Sequence, residues 1–254
     1  MRLPFLRSEP APAAAATNAE LPALAGAEFA GLVYGHRVGG DFYQFSRASA
    51  NRVVFGLLDI AGDHRENHGI VVAANTAFRE QGSVCFGDED LNEADAMMQF
   101  CQELNARIRS AARGIRSCAA FLGCYNEKLG TVCYVNAGHT PGLLRYDLEI
   151  SELPATGMPL GLFAAATYEA PTAAVPVGGA LLLASRGVVE ATYKREEFGL
   201  TRLKQQFGQI PITSAYDVVS SALEAVRQFI GPGEVKNDLT TLVLARPESP
   251  TAAT

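Results

Sequence analysis

The chain has no apolar run of the ~18–20 residues that a membrane-spanning helix requires, so the sequence offers no helical span. It also lacks a surplus of basic charge: 21 Lys and Arg stand against 27 Asp and Glu, a formal net charge of −6. A mildly acidic chain with scattered charges offers no footprint for a phosphate backbone, which argues against a nucleic-acid partner. Cysteine is sparse and odd in number (Cys85, Cys101, Cys118, Cys124 and Cys133), and none of the spacings fits a paired zinc ligand. These read as reduced thiols of a cytoplasmic protein. Met1 to Arg7 is basic, but no apolar stretch follows it; residues 8–18 are Pro, Ala and small polar residues, unlike a secretory signal. The expected organisation is a disordered lead-in over 1–27, one domain over 28–246 and a flexible tail over 247–254.

What is present is ample apolar material, 48% of 254 residues, enough for one large core. Short runs rich in Val, Leu and Phe predict strands over 28–36 and 52–60, with 42–45 between them. Helical spacing covers 69–82 and 90–113, the second closing at Gly114. Strands over 118–125 and 131–136 flank the hairpin loop Asn126–Gly130, and 143–146 and 180–184 follow. Helices are expected over 199–207 and 214–230. Ser214 caps the second and Gly231-Pro232-Gly233 stops it. A last strand covers 239–245. The order of elements indicates an α/β or α+β domain and leaves its topology open.

Asp41, beside Gly40, and Asp59, three residues before Gly62, each sit at a strand edge. Carboxylates at strand ends that open into one cleft suit hard divalent cations; an Asp so placed also serves as a plain turn former. His64 and His68 lie four apart and would share a helical face able to hold a metal, yet the stretch 63–69 is polar and reads as an exposed loop. Met97-Met98 reads as core. His139 follows Gly138 and reads as part of a tight turn.

Several segments together carry a resemblance: Gly39–Phe45, Asp59–Gly62, Tyr134–His139, Ala155–Gly161, Ser185–Glu190, Phe198-Gly199 and Asn237–Thr240. In this order they resemble the SpoIIE-like (RsbU-like) phosphatases, bacterial members of the metal-dependent protein phosphatase 2C (PPM) family. The resemblance implies two packed antiparallel sheets flanked by helices. It implies hydrolysis of phosphoserine or phosphothreonine on small regulators, usually STAS-type anti-sigma-factor antagonists. It also implies two Mg²⁺ or Mn²⁺ ions that activate a bridging water. Asp41 and Asp59 match family metal and catalytic positions, and the Ile60 backbone carbonyl matches a further ligand.

Two expected carboxylates are absent. Where the family has Ser-Asp-Gly, this chain has Ser185-Arg186-Gly187, and where it has Asp-Asp the chain has Asn237-Asp238. The family motif Gly-Gly-Asp-Tyr-Tyr-Asp ends here in Gln44, and Glu190 matches an acidic position. Two aspartates, one amide and one guanidinium sum to −1 where four carboxylates would balance two dications. An arginine charge 4 Å from a dication costs about 8 kcal/mol at an effective dielectric near 20, and arginine cannot shed its proton. The expectation is that Arg186 pairs with Asp41, Asp59 or both, and that the site holds no ion or one weakly bound ion. Asp238 can replace Asn237 only if the strand shifts. The leading function is a catalytically impaired pseudophosphatase that regulates by binding a protein partner in partner switching. The alternatives are an active phosphatase and an anion-binding module that uses Arg186.

Overall fold

The computed structural model describes residues 24–35, 40–62, 64–112, 114, 116–231, 235 and 237–248. Most of the expected lead-in and tail, together with Gly39, Asp63 and the side chain of His64, lie outside the described residues.

The elements are β1 (Glu28–Tyr34), β2 (Gly40–Arg47), β3 (Arg52–Ile60), α1 (His64–Phe86), α2 (Glu93–Ala111), β4 (Cys118–Asn126), β5 (Thr131–Ala137), β6 (Gly142–Tyr146), β7 (Glu149–Leu153), β8 (Thr172–Ala174), β9 (Gly179–Ala184), α3 (Arg186–Val189), β10 (Thr192–Tyr193), β11 (Glu196–Glu197), α4 (Gly199–Gln209), α5 (Ala215–Ile230) and β12 (Leu239–Arg246). One five-stranded sheet runs β1-β12-β9-β6-β7 and the other β2-β3-β4-β5-β8. Every pairing in them is antiparallel.

Three apolar clusters give four layers. Phe29, Phe55, Phe121 and Leu242 fill the space between the sheets. Phe78, Met97, Phe100 and Leu122 join α1 and α2 to the second sheet. Leu182, Phe207, Val219 and Val243 join α4 and α5 to the first. The alternation of β12 shows the logic: Leu242 and Leu244 face the other sheet, while Val243 and Ala245 face the helices. Strand β9, Gly-Ala-Leu-Leu-Leu-Ala, is buried at every position, as a central strand covered on both faces must be.

The caps follow from local chemistry. Asn92 accepts from the Ala94 and Asp95 amides and starts α2. Ser214 Oγ accepts from the Asp217 amide at 3.0 Å and donates to the Asp217 carboxylate at 2.8 Å. Removing such a cap costs about 1 kcal/mol. Ser214→Ala should therefore lower stability by about that amount in a denaturant melt; an unchanged midpoint would show that this hydrogen bond adds nothing to stability.

Some sequence expectations change. The stretch around His64 and His68 is the first turns of α1 and not a loop. His68 is exposed there. Helix α2 ends at Ala111, with Ala112 as its cap instead of Gly114. Leu24 packs against the inter-sheet cluster, Ala27 is buried, and the Ala25 amide donates to Glu127 at 2.9 Å, so residues assigned to the lead-in join the packed body. Met97 is fully buried. All five cysteines are buried and unpaired.

Candidate metal centre

The site lies at one end of the sandwich, where β2 begins and β3 ends. Antiparallel register places Asp41 directly opposite Asp59, and Gly40 opposite Ile60. A side chain on Gly40 would collide with the Ile60 carbonyl, so the glycine lets the two strand ends close together. From the other sheet, Thr240 Oγ1 donates to Asp41 Oδ2 at 2.6 Å. Ser185, fully buried at the end of β9, holds Thr240 in place: its amide donates to the Thr240 carbonyl at 2.8 Å, and its Oγ accepts from the Thr240 amide at 3.2 Å. The two sheets are thus joined across Asp41.

Burial is the main reason that the Asp41 carboxyl is raised to about 7, and the nearby Asp59 charge adds to it; hydrogen bonds from Thr240 and Ser185 pull the other way. Asp59 is also raised by burial, and the Arg186 charge partly offsets this. Two carboxylates held side by side in a dry cleft resist double ionisation.

Arg186 opens α3. Its Nε lies 3.5 Å from Asp59 Oδ2, with the arginine side chain 58% exposed and the aspartate 12%. Of the two pairings expected from the sequence, the one with Asp59 forms. Asp41 takes Thr240 and Ser185 instead.

Asn237 and Asp238 part company. Asp238 is buried, packs against Gly35 and contributes to the raised Asp41 carboxyl. Asn237 is exposed and lines a cavity of about 200 Å³ with Gly187, Glu190 and Glu197. No strand shift is required, because β12 starts at Leu239 and Asp238 shares the parity of Thr240.

Nothing in the sequence pattern marks Asn67. This residue of α1 is fully buried, and its Nδ2 donates to the Ile60 carbonyl at 3.1 Å. The carbonyl expected to face a metal therefore already accepts an amide. Gln44, at the end of the first motif, is buried and donates to Asn75 Oδ1 at 2.7 Å, so it ties β2 to α1.

His139 is buried in the turn set by Gly138, whose φ is 69°. Its amide donates to Asn136 Oδ1 at 2.8 Å, and its Nδ1 lies 3.1 Å from the Thr140 carbonyl. Burial lowers its pKa to about 4, keeping the ring neutral, and the Arg186 charge acts in the same direction. Among the described residues, no cluster of three or more His, Cys, Asp or Glu is arranged to hold a metal ion. No described helix is long and apolar enough to cross a membrane.

The sequence profile of the Stage II sporulation protein E (SpoIIE) family matches residues 49–247. Phosphoserine phosphatase RsbP of Bacillus subtilis (strain 168) is 24% identical over 154 residues, 60% of this chain and 37% of RsbP, so the chain spans well under half of that relative. The SiaA-PP2C domain of Pseudomonas aeruginosa superposes with a TM-score of 0.71 at 17% identity, over 87% of this chain and 85% of that one. The RsbU and RsbW domains of Rv1364c from Mycobacterium tuberculosis give 0.70 at 21% identity, over 88% and 61%. These likenesses establish the fold as that of the PP2C phosphatases.

Proposed function

Because the chain belongs to the SpoIIE family, we propose that it is a phosphatase-fold member with an impaired metal centre, which regulates by binding a protein partner. The observation that carries this reading is the Arg186 guanidinium on Asp59. Family chemistry uses Mn²⁺ or Mg²⁺ to activate a water. Asp41 and Asp59 would hold such an ion; Asp238 lies near enough for its charge to act on Asp41. The donor set does not fit two ions. One aspartate position is a cation, the second is an exposed amide, and the Ile60 carbonyl already accepts one hydrogen bond, from Asn67.

The partner best matched to the family is a STAS-type anti-sigma-factor antagonist, met in the cytoplasm. A domain that binds such a protein without hydrolysing its phosphoserine would compete with an active relative. RsbP is named a phosphoserine phosphatase, and the present reading is that this chain keeps the binding role and has lost the turnover.

The test is hydrolysis of an aryl phosphate and of a phosphoserine protein in millimolar Mn²⁺. Little or no release of phosphate is expected. Turnover comparable with an intact relative, and abolished by Asp59→Asn, would instead establish a working enzyme.

A further inference from the structure

At the end of the sandwich opposite the metal cleft, the tip of the β6–β7 hairpin borders a cavity of about 760 Å³. Its walls include Tyr146, Asp147, Leu148, Ile212 and Glu248. Leu148 is 87% exposed and Tyr146 52%, and Val177, next to Gly178 of the wall, is 51% exposed. Hairpin tips ordinarily take Gly, Asn or Asp, and apolar side chains scattered singly on a surface need no explanation. Here three of them gather at one cavity, whose volume is that of a ligand-sized site. Two carboxylates, Asp147 and Glu248, share the wall, and among the described residues neither has a salt-bridge partner. Arg145, also of the wall, is turned inward: its guanidinium donates to the Phe207 carbonyl and lies 5.3 Å from the centre of the Phe207 ring.

The chain enters the fold beside this cavity. Register places Glu28, Ala245, Ala180 and Arg145 in one row across the first sheet. Three strand spacings, roughly 14 Å, therefore separate the start of β1 from the hairpin. The Glu28 carboxylate also accepts from the Ala215 amide at 3.0 Å, two residues beyond Thr213 of the cavity wall. Upstream, the Ala25 amide is held on Glu127 and Leu24 packs on the inter-sheet cluster. Residues 1–23 lie outside the described residues; they open with Met-Arg-Leu-Pro-Phe-Leu-Arg and continue over 8–23 mostly as Ala and Pro. At about 3 Å per residue for an extended Pro-rich linker, that stretch reaches the cavity with length to spare. The other terminus leaves from Glu248 itself, but residues 249–254 hold no large apolar side chain and no basic one.

We infer that the N-terminal segment of this same chain, residues 2–7, docks in the cavity. Leu3, Phe5 and Leu6 meet Tyr146, Leu148 and Ile212, and Arg2 and Arg7 face Asp147 and Glu248. The match is one of composition and of charge: apolar side chains at the centre, opposite charges at the rim, as in protein interfaces. The tether makes the contact intramolecular, at an effective concentration of about millimolar, so a contact that is weak in itself suffices. This site stands apart from the metal cleft and does not rest on the partner-binding reading above.

The chain contains no tryptophan, so Phe5→Trp places a single indole in the segment. In the full chain its emission should lie at shorter wavelength than that of an indole in water, and acrylamide should quench it severalfold less. Adding Leu148→Asn, a polar residue suited to a hairpin tip, should return both readings to those of an indole in water. Circular dichroism checks that the sandwich of each variant is formed. Adding Arg2→Glu with Arg7→Glu instead should raise the quenching severalfold. Val84→Asp, at an exposed position of α1 against the other sheet, should leave both readings unchanged. Water-like emission in the Phe5→Trp chain overturns the inference, as does protection that survives Leu148→Asn or the arginine changes. Protection that appears only as the chain self-associates, followed by sedimentation over a dilution series, would seat the segment on a second copy and also overturns it.

Discussion

Replacing Arg186 and Asn237 together by aspartate should create a divalent-metal site where the parent has none of comparable strength. The charge at the four family positions would go from −1 to −4, matching two dications. A hundredfold gain in Mn²⁺ affinity, about 2.7 kcal/mol, is a modest share of the Coulombic change at these distances. Arg186→Asp should supply most of it, because Arg186 sits on Asp59 whereas Asn237 points into the neighbouring cavity beside Glu190. Asp238 already lies on the cleft side. The Asn67 amide on the Ile60 carbonyl sets a further limit. Adding Asn67→Ala frees that lone pair and should tighten binding beyond the double variant. Calorimetric Mn²⁺ titration reads the affinity, and melts in metal and in chelator read the linked stability. A double variant that binds Mn²⁺ no better than the parent would show that the cleft has diverged beyond its ligands.

Asp41→Asn should stabilise the protein above neutral pH. The Asp41 carboxyl is raised from 3.8 to about 7, by burial first and the Asp59 charge second. The folded state therefore holds this proton more tightly than the unfolded chain does. Its contribution to stability is fully present below about pH 4 and is lost as pH rises to about 7. Such a shift corresponds to at most about 4 kcal/mol. Asparagine keeps an oxygen for the Thr240 hydroxyl and has no charge to bury. In chelator, the difference in stability between variant and parent should grow through this window and level off above it. Parallel pH profiles for the two proteins would mean that Asp41 titrates normally.

The cleft was legible in the sequence to the extent that its parts lie in recognisable motifs. Asp41 and Asp59 end up in register, and Arg186 reaches Asp59. Asn67 was invisible because the polar stretch before Ile70 breaks the apolar periodicity that marks the rest of α1; a helix was expected only from residue 69. Its partner is a backbone carbonyl, which no side-chain pattern reports. Asn237 and Asp238 take opposite sides, as alternation implies for neighbours; which of the two faces the cleft was not readable, because the pair lies before β12, which begins only at Leu239. Strands β7, β10 and β11 are short and polar, with Glu149, Glu152, Glu196 and Glu197 among their residues. They offer no apolar run and were not foreseen. The strand order was equally out of reach, since β1 pairs with β12 across nearly the whole chain.

That last pairing bears on how the protein is made. In its sheet β1 has a single hydrogen-bonded neighbour, and it is the final strand. As the chain leaves the ribosome, β2 through β5 and helices α1 and α2 can meet while β1 still waits, because contacts of such long sequence separation form late. Phe29 and Val33, buried in the finished core, are uncovered through this interval, beside an open strand edge of the kind that pairs with other chains. The hydroxyl of Thr240 reaches Asp41 only when β12 docks. Synthesis slowed or halted before residue 239 would therefore leave a helix-covered half-sandwich with an exposed first strand and no closed cleft, a species suited to chaperone capture.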